Sequence, residues 1–316
     1  MVETWSNEVS YALVSRLIET VTGTAQLSES GVKSYLVRKA AAISADWVAQ
    51  AQAIKVIEVV ENIDIYDADS AEVLMFMDDV GVKAQKPQKN IARSDKDVKR
   101  LDTTTVLVES TTKGDFLPLT EGIDTTGQTI YSIEQALFDA VVVLHDTSKP
   151  VPIVAITDGA RTIRLSLLAV FGTAVRIILD WYHLRLKVKS LMSMIASNKA
   201  DKELYIKDLS NLLWYGQVAD ALTYLAALPR VKNEEVRVKL CTCIEKHAHE
   251  IINYDLRKKQ DKTIGSGRGE KINDTIVARR QKKKGMSWSA SGSKALAVIK
   301  TQELQFKRNQ KLKYAA

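Results

Sequence analysis

The sequence predicts an α/β protein with a mixed, partly parallel sheet flanked by helices, a helical N-terminal region and an all-helical block late in the chain. Three observations lead there. From about residue 71 short apolar runs rich in strand formers alternate with helical stretches. From Leu184 to about Lys262 the helical spacing is unbroken, and the first 60 or so residues are helical as well.

In the N-terminal region Tyr11, Val14, Leu17 and Ile18 share one helical face. The polar stretch Thr22 to Ser30 breaks the pattern, and Val32 to Ile57 resumes it. A helix-turn-helix and a plain helical hairpin both fit this spacing. The first strand run, Val73 to Met77, ends in Asp78-Asp79. Lys83 to Arg100 is polar and basic, a loop or hairpin tip, and Thr103 to Val108 is rich in β-branched residues. Gln135 to His145 reads as a helix. Val151 to Ile156 is a second buried run leading into Thr157-Asp158-Gly159; a helix over Arg161 to Thr173 follows, then a third run, Val175 to Leu179, ending in Asp180. In the helical block Leu209, Leu212, Leu213 and Gly216 line one face, as do Val218, Leu222 and Leu225, and later Val236, Leu240 and Ile244. The glycine-rich Gly265 to Gly269 reads as a flexible turn before a helix on which Glu270, Asn273, Asp274 and Val277 share a face.

With 316 residues, 46% of them apolar, the chain has enough material for two or three domains with a sizeable core. No stretch approaches 18 uninterrupted apolar residues, and the first residues lack the layout of a signal peptide, so a cytoplasmic protein without a membrane partner is expected. Cys241 and Cys243 lie too close together for an ordinary disulfide and are too few for a zinc site, which leaves them as ordinary buried residues. Charge is unevenly spread. From Arg257 to the end 17 lysines and arginines face 4 acids, a balance of +13, which against +7 for the whole chain leaves −6 for the first 256 residues. A basic C-terminal fifth of this kind suits a polyanion such as nucleic acid, although a solvated face or an acidic lipid surface has the same signature.

Three apolar runs end in an aspartate. Only the ends of buried strands readily present charge, and ligand sites of α/β sheets gather at the carboxyl edge, so Asp78, Asp158 and Asp180 are site candidates. Each alone is equally a turn former or helix cap. Phosphodiester chemistry on DNA commonly uses two hard cations about 3.5–4 Å apart. Mg²⁺ takes one or two protein carboxylates, with water and phosphate oxygens completing its shell, so three acids from distant segments suffice for a pair. Asp78, Asp158 and Glu270, separated by 80 and 112 residues, satisfy that requirement. An acid in the first turn of a helix, as Glu270 is, is also favoured by the helix dipole alone.

Four segments in order carry a resemblance: Ile156-Thr-Asp-Gly-Ala160, Ile178-Leu-Asp-Trp-Tyr-His183, Gly265-Ser-Gly-Arg-Gly-Glu270, and Arg279-Arg-Gln-Lys-Lys-Lys-Gly-Met-Ser-Trp288. Together they resemble the ISKra-type insertion-sequence transposases over roughly residues 70 to 300. That family is of the DDE type, with an RNase H-like core similar to that of Mutator-like transposases. The resemblance implies that Asp158 is the second metal-binding aspartate and Glu270 the glutamate. The first acid is Asp78, with Asp79 as the alternative, because the family usually has Asp-Gly there; a strand running through both presents only one to the metals. Asp180 and His183 look like the (Cys/Asp)-x-x-His motif of Mutator-like transposases. They either position DNA or water as auxiliary site residues or brace the helix against the sheet.

The activity implied is divalent-metal-dependent cleavage at transposon ends, leaving 3′-hydroxyls that attack target DNA, with two Mg²⁺ or Mn²⁺ ions as cofactors. Arg268, Lys271, Arg279, Arg280, Lys282, Lys283 and Lys284 are the expected DNA contacts. Trp288 either stacks on a base at the transposon end or packs against the Glu270 helix. His145, His247 and His249 read as incidental. The partner is double-stranded DNA, and bringing two ends together implies a homo-oligomer on it. The expected organisation is a helical, candidate DNA-binding region (1–68), the first part of an RNase H-like core (69–183), an all-helical insertion (184–263), and the Glu270 helix with basic C-terminal helices (264–316). Relatives usually carry a longer N-terminal region with cysteine pairs, absent here. The competing reading is therefore a truncated, inactive, transposase-derived DNA-binding protein.

Overall fold

A computed structural model describes residues 1–25, 27–53, 57–86, 99–110, 114–283 and 285–315; the side chains of 313–315 are outside the description. In chain order the regular elements begin with helices α1 (Val2–Ser6), α2 (Tyr11–Thr22) and α3 (Glu29–Gln50). Strands β1 (Val73–Lys83), β2 (Arg100–Ser110), β3 (Asp115–Thr120), β4 (Gly122–Ile123) and β5 (Thr129–Tyr131) and helix α4 (Ile133–Leu144) follow. Next come β6 (Ile153–Thr157), α5 (Arg161–Phe171), β7 (Arg176–Leu179), α6 (Trp181–Ile195), α7 (Lys199–Trp214), α8 (Val218–Ala226), α9 (Glu234–Lys246) and α10 (Tyr254–Lys259). The chain closes with α11 (Gly267–Asn273), a π-helical turn over Asp274–Ala278, α12 (Arg279–Gln281) and α13 (Ala290–Ala315).

The protein is mixed α/β, with a five-stranded mixed sheet in the order β3-β2-β1-β6-β7 flanked by helices. β2 and β3 are antiparallel, Thr105 opposite Thr120 and Ser110 opposite Asp115. β6 and β7 are parallel, Val154 opposite Arg176 and Thr157 opposite Leu179. Every residue of β6 is buried, the pattern of a strand covered on both faces.

Two compact units divide the chain. The first comprises Met1–Ile57, Met75–Lys149 and Gly267–Ala316, and the second Glu58–Leu74 and Pro150–Ser266. This division does not follow the four sequence blocks. In the first unit the N-terminal helices share one core with the C-terminal helix: Val14, Leu36 and Ala40 are buried in a cluster with Val80, Val82, Leu296 and Val298. Local chemistry sets the helix ends. Ser10 and Ser28 accept the Leu13 and Gly31 amides (3.2 and 3.1 Å), and Gly23, at φ +75°, ends α2 in the left-handed region that glycine enters without strain. α3 stops at Gln50, short of the Ile57 suggested by spacing; Ala51 turns to extended backbone, and 54–56 lie outside the described residues. The predicted loop between Lys83 and Arg100 falls mostly outside them too, at 87–98.

The second unit holds β6, β7 and the predicted helical block. Asn198, Asn233 and Asn253 cap α7, α9 and α10. Trp181, Trp214 and Tyr254 pack with ring centroids 4.9 to 6.1 Å apart, and the Tyr254 hydroxyl donates to the Leu179 carbonyl (2.8 Å). Arg257, fully buried, donates to both oxygens of Glu72 (2.9 and 2.7 Å), which also accepts from Lys262 (2.7 Å). Cys241 and Cys243 are free thiols and half-buried, more exposed than the sequence suggests; burial raises the Cys241 pKa.

Candidate active site

In the first unit β1 does not end at Asp78. It runs on through Asp79 to Lys83, which corrects the expectation of a strand-end aspartate; Val80 and Val82 give the strand a second set of core residues beyond the acids. Alternation then separates the two acids. Asp79 accepts the Thr104 hydroxyl of neighbouring β2 (2.6 Å). Asp78 accepts the side-chain amide of Asn273 on α11 (2.6 Å) and the Asp79 backbone amide (2.8 Å). Asn273 is itself buried and accepts from the Thr105 hydroxyl, so the last turn of α11 is pinned between β2 and Asp78.

Close approach of helix to strand depends on Gly269. A Cβ there would lie 2.6 Å from the Phe76 Cβ, an atom too near the backbone to move aside. Phe76 and Asp78 lie two residues apart and so face the same way. Glu270 follows this contact directly, exposed, one helical turn before Asn273. α11 begins at Gly267, inside the glycine run and earlier than the predicted start at Glu270. The unit therefore places Asp78 and the Glu270 helix on one face of β1, and turns Asp79 elsewhere.

In the second unit Asp158 and Asp180 directly follow the paired positions Thr157 and Leu179, at the carboxyl ends of adjacent parallel strands. Asp158 is exposed. One oxygen accepts the Ala160 amide (2.8 Å) in a tight turn, and Gly159 supplies the positive φ of +86° that the turn needs. Asp180 is fully buried. It caps α6 by accepting the His183 amide (2.9 Å), and its other oxygen accepts both the amide and the hydroxyl of Ser266 (2.5 Å each) while lying 3.5 Å from His183 Nδ1. Burial alone would raise the Asp180 pKa, but the His183 and Ser266 hydrogen bonds outweigh it and hold the group at about 2. Of the two roles open to this pair, bracing is the one these contacts describe.

That depressed pKa makes a stability prediction. Against an ordinary value of 3.8, the contribution is fully present above about pH 4 and is lost as pH falls from there through 2. Asp180→Asn should cost about 2 kcal/mol at neutral pH and flatten the acid-unfolding curve between pH 4 and 2, measured by circular dichroism.

His247 is not incidental. It is buried, its Nδ1 lies 2.6 Å from Glu250, and the Arg164 guanidinium pairs with Glu250 while lying 3.3 Å from the same ring nitrogen. A Cβ on Gly159 would fall 2.7 Å from His247 Cε1, so this network lies against the Asp158 turn. The sequence signal was His247 and Glu250 three residues apart. Asn273, three residues after Glu270, is the other functional candidate the spacing alone left without a role.

The expected DNA contacts divide by burial. Arg268, Lys271, Arg279, Lys282 and Lys283 are exposed; Arg268 pairs with Glu109 (2.6 Å), and Lys283 donates to the Glu8 carbonyl (2.9 Å). The expectation for Arg280 is corrected, and Trp288 takes the packing alternative. Arg280 is 5% exposed and donates to the carbonyls of Ser6 and Val9, while Trp288 is 6% exposed and donates to the Gln281 carbonyl (2.9 Å). Both are held in the packing of α1, α2 and the segment before α13, not on the open basic surface. Lys284 lies outside the described residues.

The donor chemistry suits a hard cation. Asp158 has a second oxygen with no protein partner among the described residues, and carboxylate oxygens such as those of Asp78 and Asp158 are the ligands that such an ion prefers. No protein-family model, no curated protein and no solved structure matches the chain.

Proposed function

We propose that this protein is a DDE-type DNA transposase with an RNase H-like core, cleaving transposon ends and transferring the 3′-hydroxyls to target DNA with Mg²⁺ or Mn²⁺. The observation that carries the reading is the docking of α11 on β1. It sets an exposed glutamate one helical turn from the Asn273 that holds Asp78, while Asp158 stands at the carboxyl end of a buried parallel strand. Asp78, Asp158 and Glu270 would hold the ions, while Asp180 and His183 brace the start of α6. The ions, when bound, activate the attacking oxygen and stabilise the leaving one. The residues orient the scissile phosphate, and Asn273 fixes the rotamer of Asp78. Lys271, Arg279 and Lys282 supply exposed cations for the DNA backbone, on which the proposed protein acts as a homo-oligomer.

The test is Mn²⁺-dependent nicking of DNA carrying the element's ends, followed by joining of supplied 3′-hydroxyl ends to a plasmid. Asp158→Ala and Glu270→Ala should each abolish nicking and leave DNA affinity intact. Retained nicking in both would sink the assignment, and nicking without joining would reduce the protein to a nuclease. Affinity should fall steeply with salt, and removing Lys271, Arg279 and Lys282 together should lower the log–log slope by about 2 to 3.

A further inference from the structure

Within the first unit lies a cavity of about 630 Å³ whose lining includes neither Asp78 nor Glu270. Three long helices begin on it. α2, α3 and α13 start beside Ser10, Ser28 and Ser289, and each serine hydroxyl accepts the amide three residues on, from Leu13, Gly31 and Gly292 respectively (3.1 to 3.2 Å). The earliest amides of each helix have no partner inside it, and the helix ends carry partial positive charge. Helix ends alone do not define a ligand site.

The independent observation is Arg280, which also lines the cavity. The residue is only 5% exposed, and its guanidinium donates to the Ser6 and Val9 carbonyls (2.7 and 2.6 Å) and the Met286 sulfur (2.8 Å). It lies over the Trp288 ring at 4.7 Å, and among the described residues no carboxylate pairs with it. Carbonyls satisfy its N–H groups but leave its charge uncompensated, and a buried charge normally has a counter-charge. Glu8 is close enough to feel that charge but is exposed and forms no ion pair with it. Lys33 adds a second cation to the cavity wall; the acid there is Glu29, exposed on the first turn of α3.

We infer that this cavity is a phosphate-binding site, in which a phosphate monoester or diester is the missing counter-charge of Arg280 and is held by Lys33 and the helix-end amides. Donors converging from three helices suit a tetrahedral anion with several acceptor oxygens better than a planar carboxylate. The site shares no residue with Asp78, Asp158 or Glu270 and stands whether or not the protein cleaves DNA. The phosphate belongs either to a DNA backbone or to a small free ligand.

The full-length protein would be titrated with inorganic phosphate against chloride at constant ionic strength, without divalent metal, following thermal stability and heat of binding. A saturable, phosphate-specific rise in Tm is expected, with affinity lowered at least about tenfold in Lys33→Glu and less in Lys33→Gln, the latter checked for native circular dichroism. A short duplex that displaces phosphate identifies the ligand as backbone DNA; one that binds without displacing it identifies a free phosphate compound. No phosphate effect beyond chloride, or an equal effect in natively folded Lys33→Gln and Lys33→Glu, would overturn the assignment.

Discussion

Asp78→Asn is expected to lower metal-dependent DNA cleavage about 10³-fold, since losing a carboxylate ligand forfeits several kcal/mol of transition-state stabilisation. Asp79→Asn should leave cleavage within about twofold, because its side chain is turned to β2 and not to the Glu270 helix. The contrast follows from strand alternation. Asp78 meets Asn273 of the Glu270 helix, whereas Asp79 meets Thr104 on the neighbouring strand. Neither substitution should unfold the protein, as the asparagine carbonyl can still accept from Asn273 or from Thr104. Single-turnover nicking with both variants, at matched circular dichroism, decides the matter. Equal losses, or a loss confined to Asp79→Asn, would reassign the first acid.

Glu72→Gln should destabilise the second unit by about 3–5 kcal/mol, the cost of breaking a buried ion pair from one side. Arg257 is wholly buried and Lys262 nearly so, and both depend on the Glu72 carboxylate for their counter-charge. A glutamine keeps the shape and loses the charge, so the effect is electrostatic and not a cavity. The urea midpoint should fall sharply. Lys259→Ala, which breaks the exposed pair with Asp255, should hardly move it. A small effect of Glu72→Gln would mean that water reaches the triad. In sequence this triad is silent, because Glu72 lies 185 residues from Arg257 and 190 from Lys262.

Legibility followed range. The helix starts at Tyr11, Glu29 and Tyr254 rest on a serine or asparagine a residue before, and the β6 and β7 runs on continuous apolar stretches, so all could be read locally. The end of β1 could not. Asp78-Asp79 looks like a strand terminus by polarity, yet Val80 and Val82 pack into the core and carry the strand onward. The start of α11 was hidden in a similar way, because glycines that read as a flexible turn are there for contact: Gly269 admits Phe76.

By itself the sequence determined the α/β class, the helical block, the strand-end positions of Asp158 and Asp180, and the concentration of positive charge near the C-terminus. These depend on periodicity, capping and composition, which act over a few residues or over the whole chain. The tertiary structure alone decided which of two adjacent aspartates meets the Glu270 helix, that Asp180 is a buried brace, that His247 lies against the Asp158 turn, and that Arg280 and Trp288 are interior. Burial is a property of what packs over a side chain. An arginine inside a basic run has the same local pattern whether it faces solvent or, like Arg280, lies beneath the N-terminal helices with two carbonyls and an aromatic ring around it.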